Sequence, residues 1–89
     1  MTQEEKPVTV YGQPNCPSCV RVVEKLQDAG VGFDYVDISK HQYHEARVFV
    51  TEVLGAKSVP VVVDDYHEPI LGYQPDQLAK LVDYHKESK

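Results

Sequence analysis

The sequence predicts a small α/β fold whose elements run strand, helix, strand, helix, strand, strand, helix. Three observations carry this expectation. Short runs rich in β-formers at residues 8–11, 33–38 and 60–63 are separated by stretches with helical spacing of apolar residues. The first two strands flank a helix and should therefore run parallel, whereas the runs 60–63 and 68–71 are joined only by the polar turn Asp64-Asp65-Tyr66-His67 and should pair antiparallel. Both cysteines fall together in Cys16-Pro17-Ser18-Cys19, where the first strand gives way to the first helix.

Taken in order, Val8-Thr9-Val10-Tyr11 alternates like a strand and stops at Gly12. Gln13-Pro14-Asn15 forms a loop. Between Pro17 and Ala29, Val20, Val23 and Leu26 mark the apolar stripe of a helix, with Arg21, Glu24, Lys25 and Asp28 on the other face. Gly30 supplies the stop. The second strand covers 33–38, and 39–44 is polar, which puts His41 and His44 on an exposed loop. Ala46, Phe49, Val50, Val53 and Leu54 then repeat at i, i+3, i+4, i+7 and i+8, predicting a second helix closed by Gly55. The continuous apolar run 60–63 reads as a strand covered on both faces. Gly72-Tyr73-Gln74 is a loop, and Pro75 opens the last helix with Asp76 in its first turn and Leu78, Leu81 and Val82 inward.

Composition narrows the function classes. At 89 residues the chain has room for one domain, 1–89, of which residues 1–6 are polar and expected to fray. A formal net charge of −5 argues against a nucleic-acid partner. No apolar run approaches the ~18–20 residues of a membrane span, and the first residues lack the basic start and apolar stretch of a signal peptide. A cytoplasmic monomer in a reducing compartment is expected. There a lone cysteine pair points to catalysis or metal binding rather than a structural staple.

The spacing of the cysteines has a specific chemical consequence. With Pro17 at the first helical position, Cys16 becomes the N-cap and Cys19 lies one turn inside. The Cys16 sulfur can then accept from the N–H of Ser18 or Cys19 at the positive end of the helix dipole. Both effects favour thiolate, the nucleophilic form, in a residue that ordinarily titrates near pH ~8.5. Cys19 borders the apolar stripe whereas Cys16 sits at the exposed tip, so Cys16 is read as the attacking sulfur and Cys19 as the resolving one. The competing reading is half a zinc site completed by His41 and His44. Their placement, with 21 residues between Cys19 and His41 and then H-x2-H, falls outside the usual finger spacings.

The element order, the CxxC at the first helix start, Tyr11 at the end of the first strand, Ser58-Val59-Pro60 before a valine-rich strand and Gly72 before the last helix together resemble the thioredoxin fold. In size the chain is similar to its glutaredoxin branch, over residues 7 to about 83. Val36-Asp37-Ile38-Ser39 and Gly72-Tyr73-Gln74-Pro75-Asp76 look more closely like the NrdH-redoxins. The resemblance implies a four-stranded mixed sheet of order 2-1-3-4 flanked by three helices. It also implies a cis bond before Pro60, a substrate backbone held by Val59, and a substrate groove formed by Tyr11, Gln13, Pro17, Ser18, Val59, Pro60, Gly72 and Tyr73 around catalytic Cys16 and Cys19.

The implied activity is dithiol–disulfide exchange with no cofactor or metal bound by this chain. The implied target is the large subunit of ribonucleotide reductase, and the implied reductant is thioredoxin reductase with NADPH. Glutathione is the alternative electron source, and an iron–sulfur cluster shared between two copies is a further alternative. Against glutathione, Tyr73 stands in place of a glycine, Pro75 removes an amide donor, and Gln13 stands where glutathione-using glutaredoxins carry a lysine. Each charged hydrogen bond so lost should cost about 1.5–3 kcal/mol of binding. The chain also departs from the NrdH-redoxin pattern. Pro17-Ser18 replaces Val-Gln between the cysteines, Tyr73 replaces Phe, and Gln74 replaces a basic residue.

Overall fold

Val8, Val10, Val61 and Val62 are fully buried at the centre of the sheet, and their β-branched side chains fix the middle of the molecule. The computed structural model describes residues 7–87, so the expected fraying of 1–6 lies outside the described residues. Strand β1 (Val8–Gly12) leads into helix α1 (Pro17–Ala29) and returns through β2 (Phe33–Asp37). A 310 turn (His41–Tyr43), helix α2 (His44–Val48) and a π-type turn (Phe49–Val53) follow in one continuous segment. Strands β3 (Val61–Asp64) and β4 (Ile70–Leu71) then precede helix α3 (Pro75–Glu87). The sheet order is β2-β1-β3-β4, with β1 parallel to β2 and both other pairings antiparallel. This is the predicted mixed sheet.

Alternation along the strands divides the core in two. Val8, Val10 and Val62 face α1 and α3, where Val22, Leu26, Leu78 and Leu81 complete the larger cluster. Val61 faces the other way, with Val50 and Ala56 and the half-buried Tyr11, Leu54 and Val63. The run of valines in β3 is therefore explained by helical segments on both faces.

Three elements differ from the expectation. The buried stripe of α1 is Cys19, Val22 and Leu26, not Val20, Val23 and Leu26, and Val20 is 54% exposed. Spacings of three and then four residues follow the 3.6-residue turn, whereas an unbroken spacing of three drifts around the helix. The helix ends as predicted: Gly30 adopts φ 74°, its N–H donates to Gln27 O, and the Val31 N–H reaches Leu26 O. This is a Schellman arrangement that only a residue at ease with positive φ closes cheaply.

The second helix was expected as one regular amphipathic element, with 39–44 as loop. Instead His41 begins a 310 turn, His44 opens α2, and Val53 turns outward, 69% exposed. The Thr51 hydroxyl donates to the Arg47 carbonyl, four residues back. Such back-bonding bends helices. Beyond it Leu54 N–H reaches Phe49 O, five residues back, which rotates the apolar face off the regular pattern. Strand β4 is only Ile70–Leu71, shorter than the expected 68–71, because the preceding turn is held elsewhere.

That turn is organised by Asp64, whose side chain has no solvent exposure. Asp64 Oδ2 lies 2.8 Å from both His67 Nδ1 and His85 Nε2, and Oδ1 accepts the backbone N–H of Tyr66 and His67. The carboxylate thus ties the β3–β4 turn to α3. His85 is only 8% exposed. Burial by itself would raise the Asp64 carboxyl. The hydrogen bonds from His67 and His85, with the backbone N–H of His67, outweigh it and hold the group below its ordinary value.

Two outcomes follow. Val22→Ala should cost about 2 kcal/mol in chemical denaturation and Val20→Ala less than about 0.5, the reverse of what a stripe through Val20 requires. A carboxyl lowered on folding contributes stability above its unfolded pKa and loses it as the pH falls through the folded value. Wild type should therefore exceed Asp64→Asn in stability at pH 7, with the gap closing in strong acid. The check is denaturant midpoints across that range.

Candidate active site

Gly12 ends β1, and Asn15, at φ 58°, turns the loop so that Cys16 enters helix α1 as its N-cap. Asn is one of the few residues other than Gly that tolerates this conformation. Cys16 itself is extended, Pro17 takes the first helical position, and the Cys16 carbonyl accepts the N–H of Val20 at 3.2 Å. The Cys16 sulfur accepts the backbone N–H of Cys19 at 3.1 Å, one of the two donors anticipated for it. No acidic residue occupies the first turn of α1, so the positive end of the helix is left to the sulfur. The two cysteines are joined as a disulfide with Cα atoms 5.3 Å apart.

The two sulfurs open onto different surfaces. Cys16 lies on the wall of a groove of about 530 Å3 between the α1 tip and the second helical segment, with Gln13, Pro17, Arg47, Lys57 and Val59. Cys19 is 1% exposed and borders a separate depression lined by Val20, Val23, Glu24, Gln27 and Tyr35. A two-step dithiol exchange uses one sulfur open to a partner and a second held behind it.

Of the residues expected around the cysteines, Gln13, Pro17 and Val59 line the groove with Cys16. The Val59–Pro60 peptide is cis, as the resemblance implied. Pro60 and Gly72 do not line the groove: Pro60 is fully buried, and its carbonyl accepts the Gly72 N–H at 2.8 Å, which ties the loop before α3 to the residue behind Val59. Ser18 is half-buried inside the first turn of α1. Tyr11 faces the smaller core cluster, its ring 6.2 Å from that of Phe49, and burial raises its hydroxyl. Tyr73 packs against the larger cluster. Neither tyrosine is on the groove wall. His41 and His44 line a separate depression with Gln42, Tyr43, Glu45 and Ala46, away from the cysteines.

Arg47, Thr51 and Lys57 also line the groove and were not singled out from the sequence. A signal for them existed. Arg47 and Thr51 are four apart on a helical segment and so share a face, and Lys57 directly precedes Ser58-Val59-Pro60. Two cations at the groove of a net-acidic chain give it a local polarity opposite to that of the whole. Ile38 and Ser39 also line the groove, next in sequence to Asp37. The Ser39 hydroxyl and backbone N–H, with Lys40, hold its carboxyl below the usual range although desolvation opposes this.

The glutaredoxin family model matches residues 8–67, most of the chain and the whole cysteine-bearing half. The gene 56 protein of Mycobacterium phage L5 is 57% identical over 83 residues, covering 93% of this chain and 79% of that protein. The crystal structure of the glutaredoxin from Archaeoglobus fulgidus superposes with a TM-score of 0.74 at 32% identity, over 86% of each chain. The NrdH-redoxin of Escherichia coli superposes with a TM-score of 0.72 over 83% of this chain and 92% of its own, at 22% identity, a likeness of fold. The sheet, the redox-active cysteine pair and the sequence match agree: this chain belongs to the glutaredoxin family of thiol–disulfide oxidoreductases.

Proposed function

We propose that this oxidoreductase works as an NrdH-redoxin does, as a protein-disulfide reductant reloaded by thioredoxin reductase and NADPH rather than by glutathione. The observation that carries this reading is the N-terminus of α3. Pro75 is its first residue and offers no N–H, and the Gln74 side-chain amide is engaged by the Leu71 carbonyl at 2.9 Å. A glutathione carboxylate seated at that helix end would find fewer donors than it needs. Gln13 on the groove wall adds no charge to replace them.

In the reaction, Cys16 thiolate attacks one sulfur of a target disulfide and the other leaves as thiolate. Cys19 then attacks Cys16, releasing the second target thiolate and leaving Cys16–Cys19 oxidised. The target we propose is a cysteine pair on a mobile, carboxylate-bearing segment, with the tail of a ribonucleotide reductase large subunit as the specific expectation. Its backbone would lie along Val59 as an added strand, and its carboxylates would meet Arg47 and Lys57. The electron source and target fit a cytoplasmic, monomeric protein.

One observation favours glutathione as the competing reading, since Arg47 and Lys57 would also receive a small peptide's carboxylate. A coupled assay separates the two. NADPH oxidation with a protein disulfide as substrate should proceed with thioredoxin reductase and be at least about tenfold slower with glutathione and glutathione reductase, as expected for a loss of one charged contact or more. Turnover in the glutathione system alone would overturn the proposal. For the roles of the sulfurs, Cys19→Ser should accumulate a mixed disulfide with the target on non-reducing gels, and Cys16→Ser should accumulate none.

A further inference from the structure

The structure brings a tyrosine hydroxyl and the resolving sulfur to the same glycine, Gly12. Tyr35 lies in the middle of β2, paired with Val10, and its side chain projects to the α1 face of the sheet. Its hydroxyl occupies the space over Gly12. A Cβ built on Gly12 would overlap the Tyr35 hydroxyl and come within 3.1 Å of Cys19 Sγ. The hydroxyl and the sulfur are therefore both neighbours of the same glycine, and glycine is required there for room rather than for its backbone angles. The Tyr35 ring is partly exposed and lines, with Cys19, Val20 and Glu24, the depression separate from the groove. Cys19 itself is all but inaccessible to water.

We propose that the Tyr35 hydroxyl is the positioning and proton-relay group for Cys19, carrying its proton to solvent during the resolving step. In the mixed disulfide, Cys16 Sγ is bonded to a target sulfur and Cys19 is a thiol. The Cys19 proton passes to Tyr35 Oη while the phenol's own proton passes to water, so the tyrosine ends neutral. Cys19 Sγ then bonds to Cys16 Sγ, the bond between Cys16 and the target sulfur breaks, and that sulfur leaves with the electron pair as thiolate. The pair Cys16–Cys19 is oxidised by two electrons and the target reduced by two. Without such a group, a buried thiol would depend on rare entry of water to lose its proton.

Neutrality of the phenol is built into the site. Burial, and then the charge of Asp37, raise its hydroxyl above the ordinary value, while the Gln13 backbone amide pulls the other way. The charged groups facing the sulfur and the hydroxyl are Glu24 on α1 and Asp37 on β2. Asp37 takes both Ser39 hydrogen bonds on one oxygen, Oδ1, so Glu24 and Asp37 are the two competing bases.

The inference rests on the dithiol chemistry of the family and not on the reductant or target proposed above, so the test uses a small aromatic disulfide whose released thiolate is coloured. Reduced protein mixed with that disulfide in a stopped-flow instrument releases one thiolate as Cys16 attacks and a second as Cys19 resolves. In Tyr35→Phe the first phase should be unchanged. The second should slow about tenfold or more near pH 6–7, as for loss of a proton-transfer group. The deficit should shrink as rising pH lets hydroxide take the proton. Glu24→Gln and Asp37→Asn should each leave the second phase at the wild-type rate. A second phase in Tyr35→Phe that matches wild type at every pH overturns the proposal. So does a slowing independent of pH, or one shared equally by the first phase, because either marks a packing role. A pH-dependent loss in Glu24→Gln or Asp37→Asn instead would assign the proton to the carboxylate removed.

Discussion

One hydrogen bond at the tip of α1 governs the arrangement of this protein: the backbone N–H of Cys19 pointing at the Cys16 sulfur. It exists because Pro17 commits the next residues to helix while Cys16 stays extended, so the sulfur falls where a helix leaves its first N–H groups unpaired. Much of the surrounding architecture serves to deliver that tip. The buried valines of β1 fix the strand beneath it, the left-handed turn at Asn15 redirects the chain, and Val22 with Leu26 clamps α1 to the sheet. The segment that carries Val59 is tied to the loop before α3 by the bond between Gly72 and Pro60.

The same helix separates the two sulfurs by environment. Cys16, in the cap, meets the groove and its cations, whereas Cys19, one turn on, belongs to the buried stripe. A dithiol enzyme needs this asymmetry, because the attacking sulfur must reach a large partner and the resolving one must be held in wait. Seclusion also isolates Cys19 from solvent protons. Tyr35, admitted over Gly12 because that residue has no side chain, brings a hydroxyl to this side, where Glu24 and Gln27 are the other polar groups of the depression.

The sequence revealed most where a residue type has a single physical use. Pro17 and Gly30 bound the first helix, and the structure agrees to the residue. The apolar run at 60–63 announced a strand covered on both faces, and the two clusters bear that out. The phase of α1 was less legible, because Val20, Val22 and Val23 are alike in hydropathy and only the position of Cys19 relative to the sheet chooses among them. The widened turn after α2 was hidden for a different reason. A threonine hydroxyl that bonds backward looks in sequence like any polar surface residue. Contacts between distant segments were the least accessible. Asp64 with His85, and Tyr35 with Cys19, meet only once the sheet is assembled. The groove's Arg47 and Lys57 likewise come together through tertiary structure.

The central claim is that the end of α1 selects and activates Cys16. Its most direct test is the pH dependence of alkylation of the reduced protein, with the modified residue identified by peptide mapping. The account predicts that Cys16 reacts first and reaches its half-maximal rate well below the ~8.5 of a free thiol. Modification of Cys19 first, or a half-maximal rate for Cys16 near that free-thiol value, would contradict it.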